Sequence, residues 1–226
     1  MKLNTLTKFL LLAHHPEKGR FLISDVHINY GIIGAALLEM SLDGQIEIED
    51  NRLILLKNGN PEHLIISEIS KEIMTSKKTR KIKYWIIKLA RKSRKFKWEI
   101  LADLEKNKLL RIDDKKFLGL IPYRKSYLIE SNTRNDLITK LKKDVFFGKD
   151  LNNDTILMLG LIEACKMHKI ITSDKEELKK LKQELKEIIK ESPIADSIDK
   201  TIKQVQAAII GAIVASTVAS SASGSN

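Results

Sequence analysis

Cysteine is almost absent. Cys165 is the only one in 226 residues, which excludes a disulfide framework and a zinc-binding thiolate cluster and suits a reducing compartment. Histidine is scarce too. His14 and His15 are neighbours pointing in different directions, while His27, His63 and His168 have no close partner in sequence; no metal site is expected. Neither a phosphate-cradling glycine loop nor a nucleophile elbow occurs. Paired carboxylates fall at Glu49–Asp50 and Asp113–Asp114, where they read as hairpin turns rather than acid–base pairs. No cofactor is implied and no enzyme is expected. Long hydrophobic runs are lacking as well. The opening "TLTKFLLLAHHPEKG" is too short in apolar residues for a secretory leader. The weakly polar "VQAAIIGAIVASTVASSA" (205–222) is interrupted by Gln, Ser and Thr and reads as a packed terminal helix of small residues rather than a membrane span.

The most informative absence is local. Between Lys77 and Lys97 there is no acid, and eleven residues are Lys or Arg. The chain holds 40 basic and 29 acidic residues, a formal net charge of +11, so this one segment carries the whole excess. Tyr84, Trp85, Phe96 and Trp98 are interleaved with the charges. Charge so confined suggests a surface that meets a polyanion. The alternatives are a solvated helix face, nucleic acid or an anionic membrane surface. Phosphate contacts from six to ten of these cations would give salt-dependent DNA binding. However, "IIGAALLEMSL" and "WEILADLEKNK", the helices placed to read bases, offer few Arg, Asn or Gln. Trp and Tyr among basic residues suit a lipid interface. Composition alone leaves nucleic acid and membrane both open.

Along the chain, Leu3, Leu6, Leu10 and Ala13 recur at helical spacing before a Pro16–Gly19 break. "YGIIGAALLEMSLDGQ" reads as a helix in which Gly31 and Gly34 let another backbone come close, ending at Asp43–Gly44. "QIEIEDNRLILL" then reads as a hairpin turning at Asp50–Asn51. The pattern returns 64 residues later: Leu37, Met40, Ile46, Ile48 and Leu53 match Leu101, Leu104, Leu110, Ile112 and Phe117, and "EDNR" matches "DDKK". Ile82, Trp85, Ile86 and Leu89 form an apolar stripe inside the basic segment. Helical patterns resume after Pro122 and continue to the small-residue segment, with a disordered tail expected at 221–226.

The series "LLLAHHPEKGRFLISDVHINYGIIGAALLEMSLDGQIEIEDNRLIL", the Arg-rich helix entering "LEKNKLL", the hairpin "RIDDKKFLGLIPYR" and the helix "LMLGLIEACKM" resembles the Golgi phosphoprotein 3 family of phosphatidylinositol-4-phosphate-binding adaptors. The resemblance runs over about residues 3–220. It implies one all-α domain at 1–220: a central helical bundle ringed by amphipathic helices, with one or two small β-hairpins. It also implies a peripheral membrane protein, here a short bacterial-type member on the cytoplasmic, inner face of a membrane. The family's headgroup pocket, carried over residue by residue, falls on Arg94 and Lys97, helped by Arg91, Lys92 and Lys95. The family's loop Trp falls on Ser24 and its glycine-helix Arg on Ile33, so half of that pocket is replaced, and Trp98 becomes the candidate interfacial anchor. The resemblance further implies homo-oligomers through the hairpin near Asp113–Lys116, whose charged turn suggests shallow insertion. A nonspecific nucleic-acid binder using the same basic stretch is the alternative.

Overall fold

The computed structural model describes residues 3–57, 63–118, 120–129, 131–148, 151–191 and 196–222. In chain order these form α1 (Thr5–Ala13), α2 (Asp25–Leu42), β1 (Ile46–Glu49), β2 (Arg52–Leu55), α3 (Leu64–Met74), β3 (Arg80–Lys81), α4 (Ile82–Ala90) and α5 (Ser93–Lys106). They continue with β4 (Leu110–Phe117), β5 (Ile121–Leu128), α6 (Asn132–Phe147), α7 (Asn153–Ala164), α8 (His168–Ile171), α9 (Lys175–Glu191) and α10 (Asp196–Ala222). The fold is mostly α-helical with two small antiparallel sheets, as the sequence patterns indicate. Residues 221 and 222 belong to α10, while 223–226 lie outside the described residues.

The bundle is built around α2, whose apolar side chains point in every direction because every side of its middle and C-terminal turns is covered. Its two glycines sit where neighbours press hardest. A Cβ at Gly31 would fall 2.1 Å from the Phe9 ring of α1, and one at Gly34 would fall 2.3 Å from Ile209 of α10. Close approach therefore comes from side chains of flanking helices rather than from another backbone. Helix α7 is likewise buried around its circumference. The strongly amphipathic α9 seals its side of the core with Leu181 and Leu185.

The duplication is visible in how helices end. Gln45 N–H donates to the Met40 carbonyl at 2.8 Å, and 64 residues on Leu109 N–H donates to Leu104 at 3.0 Å. The residues between, Gly44 and Lys108, both have φ of 61°. These are six-to-one exits with a left-handed residue. Helix α7 ends the same way at Lys166 (φ 54°), where Met167 N–H reaches the Ile162 carbonyl at 2.8 Å.

The two hairpins differ, and here one expectation is corrected. Asp50 and Asn51 both adopt positive φ, 46° and 61°, the two-residue turn expected between β1 and β2. In the second hairpin Asp113–Lys116 is not the turn. Asp113 pairs with Lys125, Asp114 with Arg124 and Lys115 with Tyr123, so the "DDKK" run is mid-strand, stabilised by opposite charges across the ladder. The strands run on to Phe117 and restart at Ile121. The tip therefore carries Leu118 and Leu120, exposed by 81% and 83%. The short β3 lies within the basic segment and joins β2 through Arg52–Lys81 and Leu53–Arg80 register pairs.

Candidate functional site

The eleven cations of the basic segment do not share one face. Burying Ile82, Trp85, Ile86 and Leu89 orients α4, and burying Phe96, Ile100, Leu101 and Leu104 orients α5. This turns Lys88, Lys92 and Lys95 toward α3. There Glu72 holds Lys88 at 2.8 Å and Lys92 at 2.6 Å, while Glu68 holds Lys92 at 3.0 Å and Lys95 at 2.6 Å. Bonds from Lys88 and then Lys92 depress the Glu72 carboxyl to about 2. Those from Lys95 and Lys92 lower Glu68. Lys92 and Lys95, expected beside Arg94 and Lys97, are thus engaged elsewhere. The α3 acids that engage them lie twenty or more residues earlier, where no local pattern ties them to the basic run; Glu99, one turn on and 3.7 Å from Lys95, is the local partner.

Arg94 and Lys97 come together, one turn apart on α5, and Arg94 lies between the directions of Lys97 and Trp98 on the helix wheel. Arg94 is exposed, as is Arg91 just before the helix, and among the described residues no acid is within ion-pair distance of either. Lys97 lies 5.6 Å above the Phe21 ring and 3.8 Å from the Asp25 carboxylate. Trp98 is half-buried against the core, with Arg124 of β5 at 5.7 Å from its ring. Ser24 is exposed at the N-cap of α2, its hydroxyl 2.7 Å from His27 Nδ1, one residue from Asp25 and so beside Lys97. Ile33 is a correction: it is completely buried in α2. A helix covered on every side offers no surface position there, so Ile33 is core and no part of an interface.

The site's second wall is the loop at 14–24, held to the base of the long hairpin. His14 is buried, with Nδ1 2.8 Å from the His15 carbonyl and Nε2 2.9 Å from the Ser126 hydroxyl. Burial holds its pKa below the ordinary imidazole value. Gly19 lies against Tyr127, where a Cβ would fall 2.9 Å from the ring. Loop, α5 and hairpin therefore meet at one corner. It presents Arg94, Lys97 and Arg124 around Trp98, at the root of a ribbon whose tip is leucine. Sequence reasoning missed Arg124 and the tip; the signal available for the tip was "FLGLI", apolar residues around a glycine.

Chemically this corner offers cations and an amphipathic ring. Cys165 is fully buried and pushed up to about 12 by loss of solvent, so it is no nucleophile at neutral pH. Among the described residues, no cluster of His, Cys, Asp and Glu is arranged to hold a metal, and no helix is long and apolar enough to cross a membrane.

Compared with known proteins, the family model described as Golgi phosphoprotein 3 (GPP34) matches residues 6–205, nearly the whole chain. A search of curated proteins gives no match.

Proposed function

We propose, from the premise that this chain belongs to the Golgi phosphoprotein 3 family, that it is a peripheral membrane protein binding anionic lipid headgroups. Arg94 and Lys97 contact the headgroup, Arg124 extends the positive field, and Trp98 lies at the interfacial depth. The hairpin tip enters the acyl boundary. This is a binding function with no catalytic step, exercised on the inner face of a membrane. Specificity for phosphatidylinositol 4-phosphate is reduced, because Ser24 and the buried Ile33 stand where the family pocket has Trp and Arg. Homo-oligomers form through the same hairpin once it is laid on a bilayer.

The observation that carries this reading is the tip. Leu118 and Leu120 stand almost fully in solvent, with Lys115, Lys116, Arg124 and Lys125 exposed behind them. Burying each leucine in lipid contributes about 2 kcal/mol. Each nearby cation contributes about 1 kcal/mol at an anionic surface, and only the cations' share is screened by salt. Nucleic acid would use the charges but leave the leucines idle.

The test is co-sedimentation with neutral, phosphatidylglycerol, cardiolipin and phosphatidylinositol-4-phosphate vesicles, with duplex DNA as competitor. Arg94→Glu/Lys97→Glu is expected to abolish binding to anionic vesicles at low salt. Leu118→Asp/Leu120→Asp is expected to weaken it by roughly a hundredfold or more at any salt. Tight DNA binding by a protein that ignores every vesicle would overturn the reading.

A further inference from the structure

A second part of the basic segment is used neither by the corner around Arg94 nor by the acids of α3. Arg80, Lys81, Lys83 and Arg91 are exposed, and none has an acid within ion-pair distance among the described residues. They border a set of exposed apolar side chains from two helices: Tyr84 and Ile87 of α4, and Ile210, Val214 and Val218 of α10. The two rows are continuous. Lys83 lies across α10 at Gly211, where a built Cβ would sit 3.5 Å from its Nζ. At 100° per residue, Val214 and Val218 fall within about 60° of Gly211. On α4, Ile87 falls about 40° from Lys83. Arg80 stacks over Tyr84 at 5.1 Å.

Exposed aliphatic residues standing singly need no explanation, but a contiguous stripe rimmed by charge of one sign does. We propose that this α4–α10 face is a second membrane contact, an apolar stripe with a basic margin that lies flat on an anionic bilayer. It rests on the peripheral-membrane reading above, though on different residues. Charge selects the occupant. No acid occurs from Lys77 to Lys97 or from Lys200 to the last residue, so two copies meeting here would oppose like charges. Nucleic acid would leave the valines unmatched. An anionic lipid surface satisfies both parts, taking the side chains of Val214 and Val218 at the headgroup boundary while Lys83 and Arg91 reach phosphates.

The complete burial of Cys165 makes the test clean, because only an introduced thiol is labelled. Val214→Cys and Leu120→Cys, each carrying an environment-sensitive nitrobenzoxadiazole, are titrated with phosphatidylglycerol vesicles and with neutral vesicles. At Val214→Cys a several-fold rise in emission with a blue shift is expected on anionic vesicles only. Lys83→Glu/Arg91→Glu is expected to weaken vesicle binding by roughly tenfold or more at low salt. A response at Leu120→Cys with none at Val214→Cys overturns this inference and leaves the hairpin reading standing. The reverse pattern upholds the α4–α10 contact and removes the hairpin. Silence at both positions overturns both. A rise at Val214→Cys that follows protein concentration without vesicles means a second copy covers the stripe, and also overturns the inference.

Discussion

Glu39, on the central helix, is a carboxylate that the fold would rather keep protonated. Its side chain is only 17% exposed, and Oε2 has no hydrogen-bond partner. Burial first, and the charge of Asp43 second, raise its pKa from 4.5 to about 7, against the pull of the Thr5 and Leu6 N–H groups and of Lys8. At about 1.4 kcal/mol per pH unit, the ionised form costs the native state about 3 kcal/mol. The sign follows from proton binding. Between about pH 4.5 and 7 the folded chain keeps a proton that the unfolded chain releases, so stability falls as pH rises and is lowest above 7. Glu39→Gln keeps an oxygen for the two N–H groups and removes the charge. Urea unfolding followed by tryptophan emission is expected to show the variant equal to the wild type near pH 4 and more stable by up to about 3 kcal/mol near pH 8. His63, whose Nε2 lies 3.9 Å from Glu39, is itself lowered by burial. It contributes a rise with pH in both proteins, and the difference between them largely removes it. A variant less stable than the wild type at pH 8 would mean the ionised carboxylate is welcome, and would refute the reasoning.

Three further outcomes are expected. Glu68→Gln/Glu72→Gln releases Lys88 and Lys92 and leaves Lys95 only Glu99, 3.7 Å away, and anionic-vesicle affinity at low salt should rise on the order of tenfold; unchanged affinity would place those lysines away from the membrane. In the wild type, the Glu72 contribution to stability is complete above the ordinary carboxylate range and is lost only as pH falls toward about 2. Gly31→Ala forces a methyl into the Phe9 ring and should destabilise by about 1–3 kcal/mol in denaturant unfolding, partly recovered by Phe9→Leu. A neutral Gly31→Ala would show that α1 and α2 slide apart without cost.

Much of the architecture was legible because its signals are local. Asp43–Gly44 and Asp50–Asn51 announce a helix end and a two-residue turn through residues that tolerate left-handed backbone, and both stand where expected. The same rule misled at Asp113–Asp114. Acidic pairs usually mark turns, but here Lys125 and Arg124 wait across the ladder, a partnership invisible without the register. Ile33 shows the opposite lesson. Its own neighbours, apolar on every side, already indicated burial, and only the position carried over from the family put it at a surface. The division of the basic segment was out of reach, since it depends on where α3 and α10 pack, and a run of lysines reads alike whether it meets glutamates or water.

The three matching helix exits bear on the order of folding events. Each is closed by backbone bonds spanning six residues, so it can form while the rest of the chain is still open. The chain then reverses at Gly44, Lys108 and Lys166 before any distant contact exists, and each of the first two helices delivers its ribbon already turned. What remains is the docking of α10 against α2, the meeting of Ile209 with Gly34 across most of the sequence. That long closure, rather than any helix or hairpin, is the expected slow step, and a substitution at Gly34 should show itself first in the folding rate.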